Sequence, residues 1–146
     1  MKDLNSGITM VEGKIEYLQM IQEPIGRMST ASAIFKGFTA TIVAGLSAIA
    51  YGDVNMWILG LSFIPVLLFA LLDVYYLRLE RKYRYLYEQV RLGCREIDFS
   101  MDLTNDLKAA KARLADCVLS PSILLFYLPI TVILVAIFAL KMRGVL

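Results

Sequence analysis

Arg81, Arg84, Glu88, Arg91 and Arg95 recur every three or four positions, with Arg78 and Lys82 beside them and Tyr85 close by. On a helix that spacing places the charges on one face. Arginine forks grip phosphate oxygens in pairs and tyrosine rings stack on bases. Arg78, Arg81, Arg84, Tyr85, Arg91 and Arg95 therefore form a candidate ligand-binding surface for a phosphate-bearing molecule. The same row also suits a solvated cationic face, or a band that meets anionic lipid headgroups. A second pairing is at longer range: Lys36 stands 17 positions before Asp53, and Asp73 stands 20 after it. In an antiparallel hairpin turning near Asp53, the two reach depths only about 4.5 Å apart along the axis. An ion pair between Lys36 and Asp73 is the expectation; the alternative is that Lys36 snorkels alone and Asp73 faces headgroup water.

Other chemistry is missing. The chain has no histidine, which removes the commonest general base at neutral pH and the commonest metal ligand. Cys94 and Cys117 lack a metal-type spacing and are expected to be reduced structural thiols. Glu96, Asp98, Asp102 and Asp106 form an acidic run without a partner motif for metal catalysis, and DFSMD suits a capped turn. No Gly-rich phosphate loop, GxSxG or His-based dyad occurs. The expectation is a protein that is not an enzyme and holds no cofactor and no metal.

The elements that must position these residues are hydrophobic. Of the 146 residues 58% are hydrophobic, and the mean hydropathy is +0.63, above the roughly 45–50% apolar usage of soluble domains. A span needs about 20 mostly apolar residues. Three segments qualify: 33–51, 56–77 with only Asp73 charged, and 121–141. The expected class is all-α, an integral membrane protein with three transmembrane helices and a compact cytoplasmic helical region, all in one domain. Residues 1–30 carry a stripe of Ile8, Val11, Ile15, Leu18 and Ile25. This predicts a cytoplasmic amphipathic helix ending before Pro24 or at Gly26. Residues 78–120 are expected as cytoplasmic helices, with a second stripe of Leu103, Leu107, Ala110, Leu114 and Cys117 or Val118. Ser120-Pro121 supplies an N-cap and N1 proline for the last span. Pro65 and Pro129 can bend the second and third spans.

Loop charge sets orientation. The link YGDVN carries only Asp53, whereas 78–120 carries nine Lys or Arg residues. The positive-inside rule places that segment, and with it the N-terminus, in the cytoplasm. The third span then crosses, or else re-enters. Along LLDVYYLRLERKYRYLYEQVR, the residues Leu72, Tyr76, Leu79, Tyr83, Leu86 and Val90 form an a/d seam that crosses the membrane boundary and stops at Gly93. Its partner is a helix of this chain or of a copy. In the first span Gly37, Thr41, Gly45 and Ala48, with Ala40 and Ala44, form small-residue rows suited to close helix packing or to lining a pore.

The runs PIGRMSTASAIFKGFTATIVAGLSAIAYGD and PVLLFALLDVYYLRLERKYRYLYEQVR, then DFSMD before a last apolar segment, resemble small three-span proteins of bacterial anti-phage defence loci. The plan is similar to that of the SLATT-type membrane effectors and of the channel-forming subunit of the Hailong system. The resemblance implies a homo-oligomer in the bacterial inner membrane, taken as a tetramer, that depolarises the membrane when a cytosolic signal releases it. For Hailong-like members that signal would involve a nucleotide or oligonucleotide made by a partner nucleotidyltransferase. Two other readings are a non-conducting membrane anchor or scaffold for a cytosolic defence protein, and a holin-like lysis protein. The topology is directly testable: an alkaline phosphatase fusion at Asp53 should be active and one at Asn105 inactive, and the reverse pattern would overturn the orientation.

Overall fold

The computed structural model describes residues 2–50, 56–105 and 107–143. The expected YGDVN turn with Asp53, and Asp106 of the acidic run, lie outside the described residues. Within them the chain is helical, with no strand: α1 Lys2–Ala50, α2 Met56–Leu61, α3 Phe63–Arg91, α4 Leu114–Val118 and α5 Pro121–Met142. Two helices are long and apolar enough to cross a membrane, one within α1 (Met10–Ala48) and the other α5 (Pro121–Met142). That pair points to a membrane protein.

The first difference from expectation lies in α1. No helix end falls at Pro24 or Gly26; the described parts of the two expected segments fuse into one helix, Lys2–Ala50, of 49 residues, about 74 Å long at 1.5 Å per residue. Pro24 removes the N–H that would bond the Met20 carbonyl, a cost of about 3 kcal/mol in a helix interior. Packing overrides it. On the N-terminal side of Pro24, Tyr17 and Ile21 are fully buried and cluster with Leu86 and Val90 of α3. On the other side, the Phe35 ring meets Tyr76 at 5.4 Å and Phe69 at 6.0 Å. The seam of α3 thus finds its partner within this chain, as α1 running antiparallel to it; Leu72 and Leu79 are half-buried.

The apolar stretch 56–77 is divided at Ser62, between α2 and α3. Pro65 explains the break, because it offers no N–H to the Leu61 carbonyl and its ring crowds that carbonyl. From Phe63, α3 continues past Leu77 into the charged stretch without interruption, as the seam predicts. It ends in a Schellman motif: the Gly93 N–H meets the Val90 carbonyl at 3.1 Å and the Cys94 N–H meets the Gln89 carbonyl at 2.9 Å. Gly93 takes φ +73°, a left-handed position that glycine adopts without a Cβ clash. The Lys14 ammonium adds a donor to the Arg91 carbonyl at 2.9 Å, where a cation favours the helix end.

The second stripe does not form the expected helix. Only Leu114–Val118 is helical, and Phe99 (φ +54°) and Lys111 (φ +49°) turn the chain through left-handed positions. Arginine donors occupy carbonyls that a helix would use: Arg78 bonds Ala112 O, and Arg81 bonds Lys111 O and Asp116 O. Ser120 does precede α5 in extended conformation with Pro121 at N1, but its hydroxyl makes no cap bond. Its carbonyl instead accepts from Ile123 and Leu124 at 3.0 Å. Pro129 sits inside an α5 that stays whole. Cys94 is exposed and Cys117 buried, both as free thiols, and burial raises the Cys117 pKa above the ordinary thiol value.

DFSMD forms a capped turn docked on α1. Asp98 Oδ1 accepts the Ser100 N–H at 3.0 Å. The buried Tyr17 hydroxyl donates to the Ser100 carbonyl and approaches Asp98 Oδ1 at 3.2 Å. The Ser100 N–H, above all, holds the Asp98 carboxyl below its ordinary range, opposed by partial burial and aided by Tyr17 and Arg95. Such a carboxylate stabilises the fold above its unfolded pKa near 3.9, and the contribution is lost as pH falls through the lower folded value. The exchange of amides 98–103, taken relative to the unprotected rate at each pH, should therefore stay slow at neutral pH and rise only below about pH 4. Tyr17→Phe should speed it at all pH values and cost about 1–2 kcal/mol of stability.

Candidate functional site

Asp73 lies where α1, α3 and α5 meet, with its side chain 1% exposed. An isolated carboxylate cannot be buried cheaply, so it must collect donors. Helical spacing on α1 supplies them, because Ser32, Lys36 and Thr39 recur at intervals of four and three and share a face. The Ser32 hydroxyl donates to Asp73 Oδ1. The Lys36 ammonium donates to Asp73 Oδ2 at 2.6 Å and to the Ser32 oxygen at 2.7 Å, keeping 19% of its side chain exposed. The structure thus brings Lys36 and Asp73 together, and Lys36 does not snorkel alone. Thr39 is fully buried and donates to the Phe35 carbonyl at 2.8 Å. From α5, Tyr127 brings its hydroxyl beside Thr39 and Asp73.

Three members of this junction were not among the sequence candidates. Ser32 and Thr39 could have been found, since both share the Lys36 face of α1. Tyr127 could not: it lies 54 positions from Asp73 on a helix whose apolar residues carry no phase.

The arginine row is dispersed. Arg78 donates through Nε to Ala112 O at 3.1 Å, and Arg81 to Lys111 O at 2.7 Å and Asp116 O at 2.9 Å. These two clamp the segment leading into α5 onto α3. Arg84 pairs with Glu80 at 2.7 Å and Arg91 with Glu88 at 2.7 Å. Arg95 bonds the Asp102 carbonyl at 3.0 Å and stands 3.9 Å from Asp98. Arg81, Arg84 and Tyr85 do converge, with Glu88 and Lys111, on an open cleft of about 370 Å³ between α3 and residues 109–111. Arg78, Arg91 and Arg95 do not line it. Guanidinium groups present five donors each, so the cleft has the chemistry to take an anion beside the clamp.

The small-residue row is outward. Gly37, Ala40, Thr41, Ala44, Gly45 and Ala48 are exposed, whereas Thr39 and Val43 of the same helix are buried. A Cβ built on Gly37 or Gly45 meets nothing within 4 Å. Close packing inside the chain is thus not what these residues serve. Among the described residues no cluster of three or more metal-ligating side chains occurs.

No protein-family model, curated protein or solved structure matches the chain. What the fold defines is a class: among the described residues the protein is all-helical, with two helices long and apolar enough to cross a membrane.

Removing one partner of a buried ion pair costs about 3–5 kcal/mol, because the other charge is left alone. Asp73→Asn and Lys36→Met should each lower the unfolding midpoint in detergent, and the Lys36→Asp/Asp73→Lys exchange should recover part of the loss. Purely additive damage in the exchanged chain would show that the two charges do not act on each other.

Proposed function

We propose that the protein is a non-enzymatic, homo-oligomeric membrane channel of bacterial anti-phage defence. In this reading it depolarises the inner membrane under control of a cytoplasmic nucleotide or oligonucleotide made by a partner nucleotidyltransferase. The membrane part comprises α1 from about residue 33, α2 with the first half of α3, and α5, so that three segments span the bilayer. The N-terminal half of α1 and residues 78–120 then stand in the cytoplasm. Four copies are the working count.

The observation that carries the proposal is the outward small-residue face of α1. Elsewhere the apolar surface is built from large side chains: Ile64, Leu67, Leu68 and Leu71 on α3, and Leu125, Leu128, Val132 and Val135 on α5 are all exposed. Those suit lipid. Gly37, Ala40, Thr41, Ala44 and Gly45 offer lipid little contact, but they let another helix approach closely or leave room for water along an axis shared by copies. Helices α1 and α3 supply the transmission. Both run without a break from the polar end into the apolar end, so a ligand in the Arg81, Arg84, Tyr85 and Lys111 cleft acts on rods that reach the membrane. The clamp from Arg81 to Lys111 and Asp116 also ties that cleft to the start of α5.

The anchor or scaffold reading is favoured by a different observation, that Arg78 and Arg81 already hold the protein's own backbone. A holin-like role fits less well, because lysis needs no pair of helices continued so far beyond the apolar zone. Ion flux separates the readings. Purified full-length protein in liposomes should conduct, and Gly45→Leu should abolish both crosslinked oligomers and flux while Gly45→Ala retains them. A parent protein that forms oligomers yet passes no ions would establish the scaffold instead.

A further inference from the structure

Residues 113–120 join the polar end of the fold to α5 and turn large side chains outward. Leu114, Val118 and Leu119 are 58%, 45% and 66% exposed, and Arg113 and Lys111 beside them are exposed too. Single exposed leucines need no explanation, but a run of them marks a partner. Three observations say which. The run leads directly into the outer face of α5, where Leu124, Leu125 and Leu128 are exposed. The buried side of α4 belongs to the apolar end: Cys117 clusters with Val74, Ile123 and Tyr127, not with Tyr17, Ile21, Leu86 and Val90. Charge points the same way, since residues 107–120 carry Lys108, Lys111 and Arg113 against the single carboxylate of Asp116. Depth agrees as well. The uncharged stretch 121–140 of α5 is about 30 Å long, the thickness of a hydrocarbon core. With that stretch filling the core, α4 falls in the headgroup layer next to it.

We infer that α4 and its flanks form an elbow seated in the surface of the cytoplasmic leaflet, and that the partner of this patch is anionic lipid. Leu114, Val118 and Leu119 reach the acyl boundary, while Arg113 and Lys111 meet lipid phosphates. The arginine clamp then gains a physical reason. Backbone carbonyls that leave a helix in a layer poor in water need donors. Arg78 supplies one to Ala112 O, and Arg81 supplies Lys111 O and Asp116 O. The elbow requires α5 to cross the bilayer but requires no conduction, so it holds for a channel and for an anchor alike.

Single tryptophans in the full chain test it, in phosphatidylcholine vesicles with and without phosphatidylglycerol. A Trp57→Phe chain is the background and the folding control. Leu114→Trp and Leu119→Trp each replace an exposed side chain, so neither disturbs the core. Both should emit further to the blue than Leu92→Trp at the polar tip. Both should be quenched by lipid spin-labelled near the headgroup and shielded from acrylamide. Phosphatidylglycerol should strengthen the lipid quenching, and Arg113→Gln should remove most of that gain. Acrylamide quenching at 114 and 119 equal to that at 92 would place the elbow in water and overturn the inference. Shielding from both quenchers would also overturn it, in favour of a second copy of the chain covering the patch. Lipid quenching indifferent to phosphatidylglycerol and to Arg113→Gln would overturn the anionic contact. A Leu125→Trp chain untouched by labelled lipid would take α5 itself out of the bilayer, and the elbow with it.

Discussion

The burial of a single carboxylate constrains the rest of this structure. Asp73 is placed by α3 among apolar side chains, where a charge without donors would be expelled. Ser32 and Lys36 answer it from α1, and that bond fixes which turn of α1 lies opposite which turn of α3. Once the register is set at Lys36–Asp73, Phe35 falls on Tyr76 and Phe69, and Phe38 falls on Phe69. Nineteen positions earlier, Tyr17 arrives at Leu86 and Val90. A slip by one turn would separate the charges and misplace both aromatic groups together. The pair contributes specificity of register more than net stability, because its Coulombic gain is set against the cost of desolvating two ions.

The same packing decides what the prolines do. Pro24, Pro65 and Pro129 each deprive a carbonyl four residues earlier of its donor. Where α1 is clasped along α3 on both sides of Pro24, the helix continues. At Pro65, near the start of α3, fewer turns hold the chain straight, and a break appears at Ser62. Pro129 lies in the middle of α5, flanked by Tyr127 and Leu134 in the shared apolar core, and the helix stays whole. Local propensity is alike in the three cases; the contacts around them differ.

Function, as proposed, uses the two ends differently. The polar end spends most of its arginines on internal bonds, so that Arg78 and Arg81 read as clamps, while Arg81, Arg84 and Tyr85 share one cleft with Glu88 and Lys111. At the apolar end α1 turns a row of small side chains outward beside the exposed Ile34 and Phe38, whereas the exposed faces of α3 and α5 carry many large ones. In the proposed channel that asymmetry would direct a copy of the chain to one face and lipid to the others.

By itself the sequence determined the helical class, the apolar segments, the continuation of α3 from Leu77 to Arg91 and its stop at Gly93. Each follows from local rules: hydropathy, a period of three to four, and the left-handed conformation that glycine accepts. It also placed Lys36 and Asp73 at matching depth, because a hairpin of known rise converts spacing into distance. Tertiary structure alone decided that α1 passes through Pro24, that the Lys111 and Ala112 carbonyls accept from arginines of α3, and that Tyr127 packs in the same junction as Asp73. It likewise decided that the Gly37–Ala48 row faces out. These depend on which side chains from distant segments compete for the same backbone groups and the same buried charge, and no local pattern in one segment carries that information.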